Sequence, residues 1–482
     1  MSEELIQLVL ERSLSLGAEY CEARLQRNID QIAILRNGNP EPSVFLDSNG
    51  IGVRIVYDGA MSFVATNLLT KESVGRLAES AVKRARSASL ILKKKIQLGR
   101  GDGEGGKWVA EEKEKLEDVT IDEMMGVLKE LDDHVMADNG IDLPSRLLFL
   151  RTMIEKKHYV NSDGAKLESQ VPRVQFHSIL AMKYEGRTST ITVPAGYAQL
   201  GGSGGMEILD RFDLFNYFPR RLSEISDAIK AETKPPQGEL DVVLGPEITG
   251  LVAHESSGHP SEADRILGRE AAQAGESYIG STDVGKKIGS EEVYVSDDPT
   301  LPHSMGYYKY DDEGIRGRKR HLISGGIITE LLHNRETALE LGVSSNGASR
   351  SMGYNREPII RMSNTYVEPG DYDHDELFED VRSGVYFKSF MEWNIDDRRM
   401  NQRYVGLEAF SIEAGEIGAP IKDPVLEIST SRLWSSLDAR GKDLSFTSAT
   451  CGKGDPMQAA PVWTGGPHIR LRNVRVSRRV MT

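Results

Sequence analysis

The stretch LDVVLGPEITGLVAHESSGHP, residues 240–260, contains a short apolar run and, directly after it, a helical pattern that leads to two histidines. The run at 240–244 is typical of a buried strand. Pro246 suits the first position of a helix, and the negative charge of Glu247 suits the positive end of the helix dipole. Apolar residues then supply one face of that helix, at Ile248, Leu251 and Val252. The sequence therefore predicts a strand and then a helix that carries His254 near its end.

The second half of this stretch has the residue types of a catalytic metal site. Zinc binds neutral imidazole or thiolate donors, and a carboxylate beside a ligand can take a proton from the attacking water. His254 and Glu255 supply a ligand and a base side by side, and His259 supplies a second imidazole. We therefore predict that His254 and His259 bind the metal and that Glu255 is the catalytic base.

The spacing of the two histidines sets a geometric condition on this site. Residues five apart lie about 140° apart on an ideal α-helix, so a straight helix would point the two rings in different directions. Pro260 disfavours helical geometry at His259, and Gly258 can adopt the left-handed conformation that ends a helix. We therefore predict that the helix ends or bulges across 256–258. The alternative is that His254 only packs under the strand and His259 lies in a surface turn.

A catalytic zinc site usually has three protein ligands and one open position. Three residues are candidates for the third ligand: Glu262, Asp264 and Cys451. Cys451 lies in a glycine-containing turn where the backbone can approach another group closely. Most free cysteines are small buried residues, however, so the residues alone leave the third ligand open.

The length of 482 residues indicates two or three domains. The clearest boundary is the segment Thr233–Gly238, where two prolines and a glycine follow a charged helical pattern. We predict an N-terminal α/β domain at 1–232 and a C-terminal metallopeptidase domain at 239–482. Helical and strand patterns alternate along the chain, and Asp58-Gly59 between apolar runs indicates a hairpin. The predicted fold class is α+β, with mixed or antiparallel sheets flanked by helices and the metal site in the C-terminal half.

The composition excludes several classes of function. A formal net charge of −14 opposes binding to a phosphate backbone, so we expect no nucleic-acid partner. No apolar run approaches the length of a bilayer span, and the acidic N-terminus does not resemble a signal peptide, so we expect no membrane association. The two cysteines, Cys21 and Cys451, form no disulfide framework, which fits a cytoplasmic location.

Several segments of the chain are similar to the TldD/PmbA family, and specifically to its metal-bearing TldD branch. The resemblance spans almost the whole length and is carried by residues 52–55, 58–59, 161–164, 250–264, 310–314, 361–370 and 451–453. It implies an α+β zinc peptidase that takes unfolded or flexible peptides into an enclosed cleft. By position, His254, His259 and Cys451 would bind Zn²⁺, and Glu255 would activate the water.

The resemblance also implies partners. PmbA-like relatives lack the motif and serve as non-catalytic subunits, so this chain would be the active partner of a homodimer or of a heterodimer with a PmbA-like homologue. Residues 394–402 depart from the glycine-bearing pattern expected there, so the resemblance does not define the details of the cleft edge. The competing hypotheses are a chaperone-like regulator that binds peptides around a structural zinc ion, and a metal-dependent amidase that acts on small molecules.

Two further groups are candidates for substrate contacts. Polar aromatic side chains in one segment could stabilise the oxyanion: His303, Tyr307, Tyr308 and Tyr310. The acidic run 311–313 could bind a substrate amine, although runs of charge usually form a solvated turn.

Overall fold

The computed structural model describes residues 2–137, 140–194, 196, 198–270 and 275–479. Its helices are α1 Ser2–Ser15, α2 Lys71–Ser89, α3 Ile121–Ala137, α4 Ile208–Arg211, α5 Leu214–Ile229, α6 Pro246–Ala253, α7 Ala263–Ile266, α8 Arg335–Glu340, α9 Glu376–Glu379 and α10 Thr430–Ser436. A π-helical turn, His254–Gly258, and a 3₁₀ turn, His259–Ser261, continue α6. No helix within the described ranges has both the length and the hydropathy needed to cross a bilayer.

Strands of the first half form one nine-stranded sheet. They are β1 Tyr20–Arg36, β2 Asn39–Pro40, β3 Val44–Tyr57, β4 Ala60–Thr66, β5 Gly105–Val109, β6 Asp142–Asn161, β7 Lys166–Tyr184, β8 Arg187–Ile191 and β9 Leu200–Ser203. The order is β4-β3-β1-β6-β7-β5, with β2 on β1 and with β8 and β9 on β7; only β5 runs parallel to its neighbour. The predicted hairpin at Asp58-Gly59 joins β3 to β4 and is confirmed.

Helices pack on this sheet through two separate apolar clusters. Side chains of α1 and α2 pack with those of β3, whereas side chains of α3 and α5 pack with those of β7. Alternation along β1, β6 and β7 therefore supplies the inward-facing residues that these amphipathic helices cover.

Strands of the second half form a nine-stranded sheet, a six-stranded sheet and the short pair β14–β15. They are β10 Gly238–Leu244, β11 Val295–Asp297, β12 Arg320–Ser324, β13 Ile327–Ile328, β14 Ser349–Arg350, β15 Ile359–Ile360, β16 Asn364–Val367, β17 Ser383–Phe387, β18 Phe390–Ile395, β19 Asn401–Gly406, β20 Ala409–Glu413, β21 Glu416–Pro420, β22 Pro424–Ser429, β23 Leu437–Arg440, β24 Ser445–Lys453, β25 Gln458–Gly466 and β26 Ile469–Arg478. The orders are β18-β19-β22-β26-β10-β17-β20-β21, with β23 on β26, and β13-β12-β11-β16-β25-β24.

Helix α6 connects these two sheets. It follows β10 of the nine-stranded sheet and packs against β16, β24 and β25 of the six-stranded sheet. A Cβ atom at Gly250 would lie 2.8 Å from the backbone nitrogen of Gly465, so glycine permits this close packing. The predicted strand at 240–244 and the helix after it are confirmed, and this packing places His254 between the sheets.

The predicted α+β class, with mixed and antiparallel sheets flanked by helices, is confirmed. Residues 230–237 connect α5 to β10. The described strands before this segment all belong to the first nine-stranded sheet. The division into domains at 1–232 and 239–482 stays a prediction.

Candidate metal centre

A π-helical turn brings the two histidines together. The backbone N–H of His259 donates to the carbonyl oxygen of His254, which closes a ring one residue wider than that of an α-helix. Residues five apart then lie over one another, and the two imidazole centroids are 4.9 Å apart. The predicted bulge across 256–258 is confirmed.

The predicted local cause of this bulge is wrong. Gly258 has φ −61°, and His259 has φ −58° and ψ −44°, so both keep right-handed helical angles. Glycine is needed at 258 for space instead, because a Cβ atom there would lie 2.0 Å from Sδ of Met362. Pro260 follows at the start of the 3₁₀ turn, where its missing N–H removes no helical hydrogen bond.

Cys451 on β24 completes a cluster of three donors. One ligand atom from each of His254, His259 and Cys451 lies within 4.8 Å of the other two, and all three side chains are buried. The Cys451 Sγ lies 3.4 Å from the His259 Nε2. Within the described part of the chain, no other group of three or more His, Cys, Asp or Glu residues has this geometry. The position therefore favours Cys451 among the three candidates for the third ligand.

Glu262, the second candidate, supports a histidine rather than facing the cluster. Its Oε2 atom lies 2.9 Å from the His259 Nδ1 and accepts from the Arg265 Nε at 2.6 Å. Lys453 lies 3.3 Å from its other carboxylate oxygen. A carboxylate on Nδ1 selects the tautomer that carries its proton there and leaves Nε2 free as a donor to a metal ion.

Asp264, the third candidate, is neutralised by the same lysine. Its two carboxylate oxygens accept from the Lys453 Nζ at 2.7 and 2.8 Å. Lys453 lies at the end of the strand that carries Cys451, so this ion pair ties β24 to the segment after the π-helical turn.

Burial and neighbouring charges adjust the pKa values of the three donors towards metal binding. Burial lowers the pKa of His254 and that of His259, which keeps both imidazoles neutral. Burial alone would raise the pKa of the Cys451 thiol, but His259 and Arg361 outweigh it and lower this pKa to about 7. A thiolate is therefore accessible near neutral pH.

This donor set fits zinc. Two imidazoles and one thiolate are borderline-soft donors, and a set of three leaves the fourth tetrahedral position open, as catalytic zinc sites require. The Nδ1 atom of His254 is buried and has no hydrogen-bond partner among the described residues. A buried polar atom without a hydrogen bond indicates that a binding partner such as a metal ion belongs there.

Glu255 lies beside the cluster and contacts a cation that sequence reasoning missed. The Arg399 Nη1 donates to the Glu255 Oε2, and both side chains are buried. Arg399 belongs to residues 394–402, the stretch that departs from the family pattern, and that departure was the available signal.

A cavity of about 440 Å³ joins these groups. Its described lining comes mainly from α6 with the turns that follow it, from β18 and the turn before β19, and from β24, with single residues from β25 and from the segment before β9. The lining residues are Ala198, Glu247, Leu251, His254, Glu255, His259, Phe390, Trp393, Arg399, Thr447, Ala449, Thr450, Cys451, Gly452 and Thr464.

The aromatic candidates for oxyanion stabilisation lie elsewhere. The Tyr308 hydroxyl donates to the Gly347 carbonyl at 2.7 Å, and the Tyr310 hydroxyl donates to Glu104 at 2.6 Å. The remaining two also have other neighbours: Tyr307 packs edge-on against Trp108, and the His303 Nε2 accepts from Arg211 at 2.8 Å. None of the four is among the described residues that line the cavity.

The acidic run at 311–313 is not a solvated turn. All three carboxylates are buried. Asp311 accepts hydrogen bonds from backbone N–H groups, and Asp312 pairs with Lys157 at 2.9 Å. Glu313 pairs with Arg54 at 2.6 Å and accepts from the backbone N–H of Arg335 at 2.7 Å. The run therefore joins the first sheet to the second half of the chain, so the interpretation as a solvated turn is wrong, and binding of a substrate amine stays a prediction.

Comparisons with known proteins agree with this site. Three family models match: "PmbA/TldA metallopeptidase domain 1" at 21–85, the central domain at 114–230 and the C-terminal domain at 237–478. A protein of Methanothermobacter thermautotrophicus named a metalloprotease is 32% identical over 95% of both chains. A zinc metalloprotease TldD homolog of Saccharolobus solfataricus is 26% identical over 97% of this chain and 98% of its own.

A solved structure shares the fold. TldE from Thermococcus kodakarensis superposes with a TM-score of 0.75 at 17% identity, over 98% of this chain and 100% of the other. The sequence matches span all three family domains. This chain belongs to the PmbA/TldD metallopeptidase family.

Proposed function

We propose that this protein is a zinc-dependent peptidase that hydrolyses unfolded or flexible peptides. His254, His259 and Cys451 hold Zn²⁺, and Glu255 is the general base. The observation that carries the proposal is the convergence of three buried metal donors and one carboxylate on a single cavity of about 440 Å³. This combination of open metal site, base and space is what metal-assisted hydrolysis needs.

The chain's own residues account for the proton transfers. Zinc, when bound, supplies a Lewis acid that polarises the scissile carbonyl and acidifies water. Glu255 accepts the proton of the attacking water and then passes it to the leaving amine. Its Oε2 atom contacts Arg399, and no described residue hydrogen-bonds to Oε1, so one carboxylate oxygen stays available for the proton.

An exposed strand edge supports a peptide as the substrate. Strand β24 is the last strand of the six-stranded sheet, and Cys451 lies on it. One edge of β24 pairs with β25. On its other edge, the described pairing is the bridge between Gln199 and Ser448, so the main chain beyond Ser448 is open to a further strand. An extended peptide can add to such an edge through main-chain hydrogen bonds, a mode that tolerates different side chains. The expectation of a homodimer or of a heterodimer with a PmbA-like homologue stays a prediction.

The number of donors disfavours the chaperone-like alternative. Structural zinc sites normally have four protein ligands, whereas the described residues bring three donors together. An amidase for small molecules would have the same metal chemistry, but the open strand edge favours an extended chain.

The test compares zinc content and peptide hydrolysis in the wild-type protein, Glu255→Ala and Cys451→Ala. Glu255→Ala is expected to retain zinc and lose hydrolysis, whereas Cys451→Ala is expected to lose both. Glu291→Ala is a matched control, because that carboxylate is 90% exposed and lies outside the cavity lining. Full activity in Glu255→Ala would refute the mechanism, and hydrolysis of short amides but not of flexible peptides would favour the amidase.

A further inference from the structure

Side-chain hydrogen bonds hold the turn that carries Arg399. The turn joins β18 to β19, and the Asp396 carboxylate accepts from the backbone N–H groups of Met400 at 2.8 Å and of Asn401 at 3.0 Å. The Thr430 hydroxyl donates to the Arg399 carbonyl at 2.8 Å. The backbone of Arg399 has φ +63°, in the left-handed region that non-glycine residues seldom adopt. These contacts hold an uncommon conformation that directs the side chain into the cavity.

The guanidinium of Arg399 has unused donors next to the metal ligands. Its Nη1 atom contacts Glu255, and no hydrogen bond from Nε or Nη2 to a described residue is present. Among the described residues that line the cavity, Arg399 is the single lysine or arginine. One carboxylate therefore satisfies only part of a buried group that has five N–H donors.

A buried cation with unused donors is complementary to negative charge that arrives with a ligand. In peptide hydrolysis such charge develops on the oxygen of the scissile carbonyl, and preorganised donors aimed at that oxygen are among the largest contributions to catalysis. Aromatic candidates for this task lie outside the described cavity lining. Arg399 is therefore the one lysine or arginine among the described lining residues, and its free N–H groups can supply charge-assisted hydrogen bonds to the oxyanion.

The geometry points to Arg399 as a catalytic residue that donates a hydrogen bond to the scissile carbonyl oxygen as negative charge develops on it. The water oxygen forms a bond to the carbonyl carbon, the carbonyl π electrons move to its oxygen, and the water proton goes to Glu255. Arg399 contributes a hydrogen bond to the carbonyl oxygen and takes no part in the proton transfer. This inference rests on the proposed peptidase function and adds to it the group that stabilises the transition state.

The test uses Arg399→Gln, Arg399→Lys and the matched control Arg398→Gln. Arg398 is on the same turn, but its side chain is 67% exposed and its nearest carboxylate, that of Glu276, is 3.8 Å away. For each variant we would measure zinc content, kcat and KM for a flexible peptide, and the affinity by calorimetry for two ligands. One ligand is a peptide phosphonamidate, which mimics the tetrahedral anion. The other is the matching amide peptide, whose affinity is measured with each variant combined with Glu255→Gln.

Arg399→Gln is expected to retain zinc and to lower kcat by about 10²- to 10³-fold, as loss of an oxyanion donor does. Affinity for the phosphonamidate is expected to fall by a similar factor, while affinity for the amide peptide changes by less than about threefold, because the contact strengthens only in the transition state. Arg399→Lys is expected to recover part of kcat, and Arg398→Gln is expected to match the wild type.

Three outcomes would overturn the inference. They are a wild-type kcat in Arg399→Gln, an equal loss of affinity for both ligands, and a loss of kcat with no loss of affinity for the phosphonamidate. If Arg399→Gln fails to fold by circular dichroism, free guanidinium added to Arg399→Ala decides, since a donor to the oxyanion predicts recovery of both kcat and the affinity for the phosphonamidate, and recovery of neither or of kcat alone overturns the inference. A wild-type protein that binds zinc but cleaves no peptide would refute the proposed function itself, whereas an active wild type with a fully active Arg399→Gln refutes this inference alone.

Discussion

The backbone N–H of His259 donates to the carbonyl oxygen of His254, and this one bond makes a five-residue spacing compatible with a shared metal ion. A bond from residue i+5 to residue i widens the helix by one residue, so the two imidazoles point the same way instead of diverging. The bulge is accommodated because Gly258 presents no side chain to Met362.

Gly258→Ala is expected to destabilise the protein by about 1–3 kcal/mol, the usual effect of an extra methyl group in a packed core. The added Cβ would lie 2.0 Å from the Met362 Sδ, so the π-helical turn must shift and the zinc affinity should fall with it. Chemical denaturation and zinc titration measure the two effects. Gly126→Ala is the control, because residue 126 is at an exposed position of α3, a Cβ atom there meets nothing within 4 Å, and alanine favours helix. Equal stability of the two variants would contradict the packing argument.

Glu262→Gln is expected to weaken zinc binding by about 10- to 100-fold, the range found for residues that support a metal ligand. The substitution removes the negative charge from the His259 Nδ1 and leaves Arg265 and Lys453 without their shared carboxylate. Competition with a chelator of known affinity measures the change. Glu291→Gln, which removes an exposed carboxylate, should bind zinc as the wild type does. An unchanged zinc affinity in Glu262→Gln would show that this carboxylate does not orient His259.

Glu313→Gln is expected to lower the free energy of unfolding by about 1.5–3 kcal/mol, because it removes one of the two carboxylates, those of Glu313 and Glu22, that pair with the buried Arg54. The same carboxylate also accepts from the backbone of Arg335, so both halves of the chain should lose stability together. Denaturation followed by two probes, one in each half, measures this. Glu72→Gln removes an ion pair with Arg76 whose glutamate is 80% exposed, and it should change stability by less than about 1 kcal/mol. A loss no larger than that of the control would contradict the structural role.

Glu247 should make stability depend on pH. Burial, opposed by Arg221 and reinforced by Glu408, raises the pKa of Glu247 to about 7 from 4.5. Arg221 offsets the burial of Glu247 weakly, because it donates to both carboxylate oxygens of Glu408 at 2.8 and 2.6 Å but lies 3.3 Å from Glu247. Glu247 therefore keeps its proton at pH values where a glutamate with the ordinary pKa has released it.

Between pH 4.5 and 7 the folded state binds this proton and the unfolded state has released it, so stability from Glu247 is present below pH 4.5 and is lost as the pH rises through 7. Relative to Glu247→Gln, the free energy of unfolding of the wild type should fall across this window by up to about 3 kcal/mol. Urea denaturation of both proteins at several pH values measures the difference. Parallel pH profiles would contradict a raised pKa for Glu247.

The sequence predicted the features that depend on near neighbours. The apolar run at 240–244, Pro246 and the five-residue spacing together predict a strand, a helix and a bulge, because strand, cap and helix geometry act over a few residues. The identity of His254, Glu255 and His259 as one group follows from the same short stretch. Even here the predicted cause of the bulge was wrong. Glycine is required at 258 because the side chain of Met362, 104 residues later in the chain, occupies the space of a Cβ atom.

Tertiary structure alone decided which distant groups meet at the metal centre. Cys451 is 192 residues from His259, and it reaches the site because β24 pairs with β25, which packs under α6. The same packing brings Lys453 to Glu262 and the β18–β19 turn to Glu255, as Arg399 shows. Local hydrogen bonds and side-chain volumes depend on consecutive residues. The position of a donor from another strand depends instead on the register and packing of whole sheets.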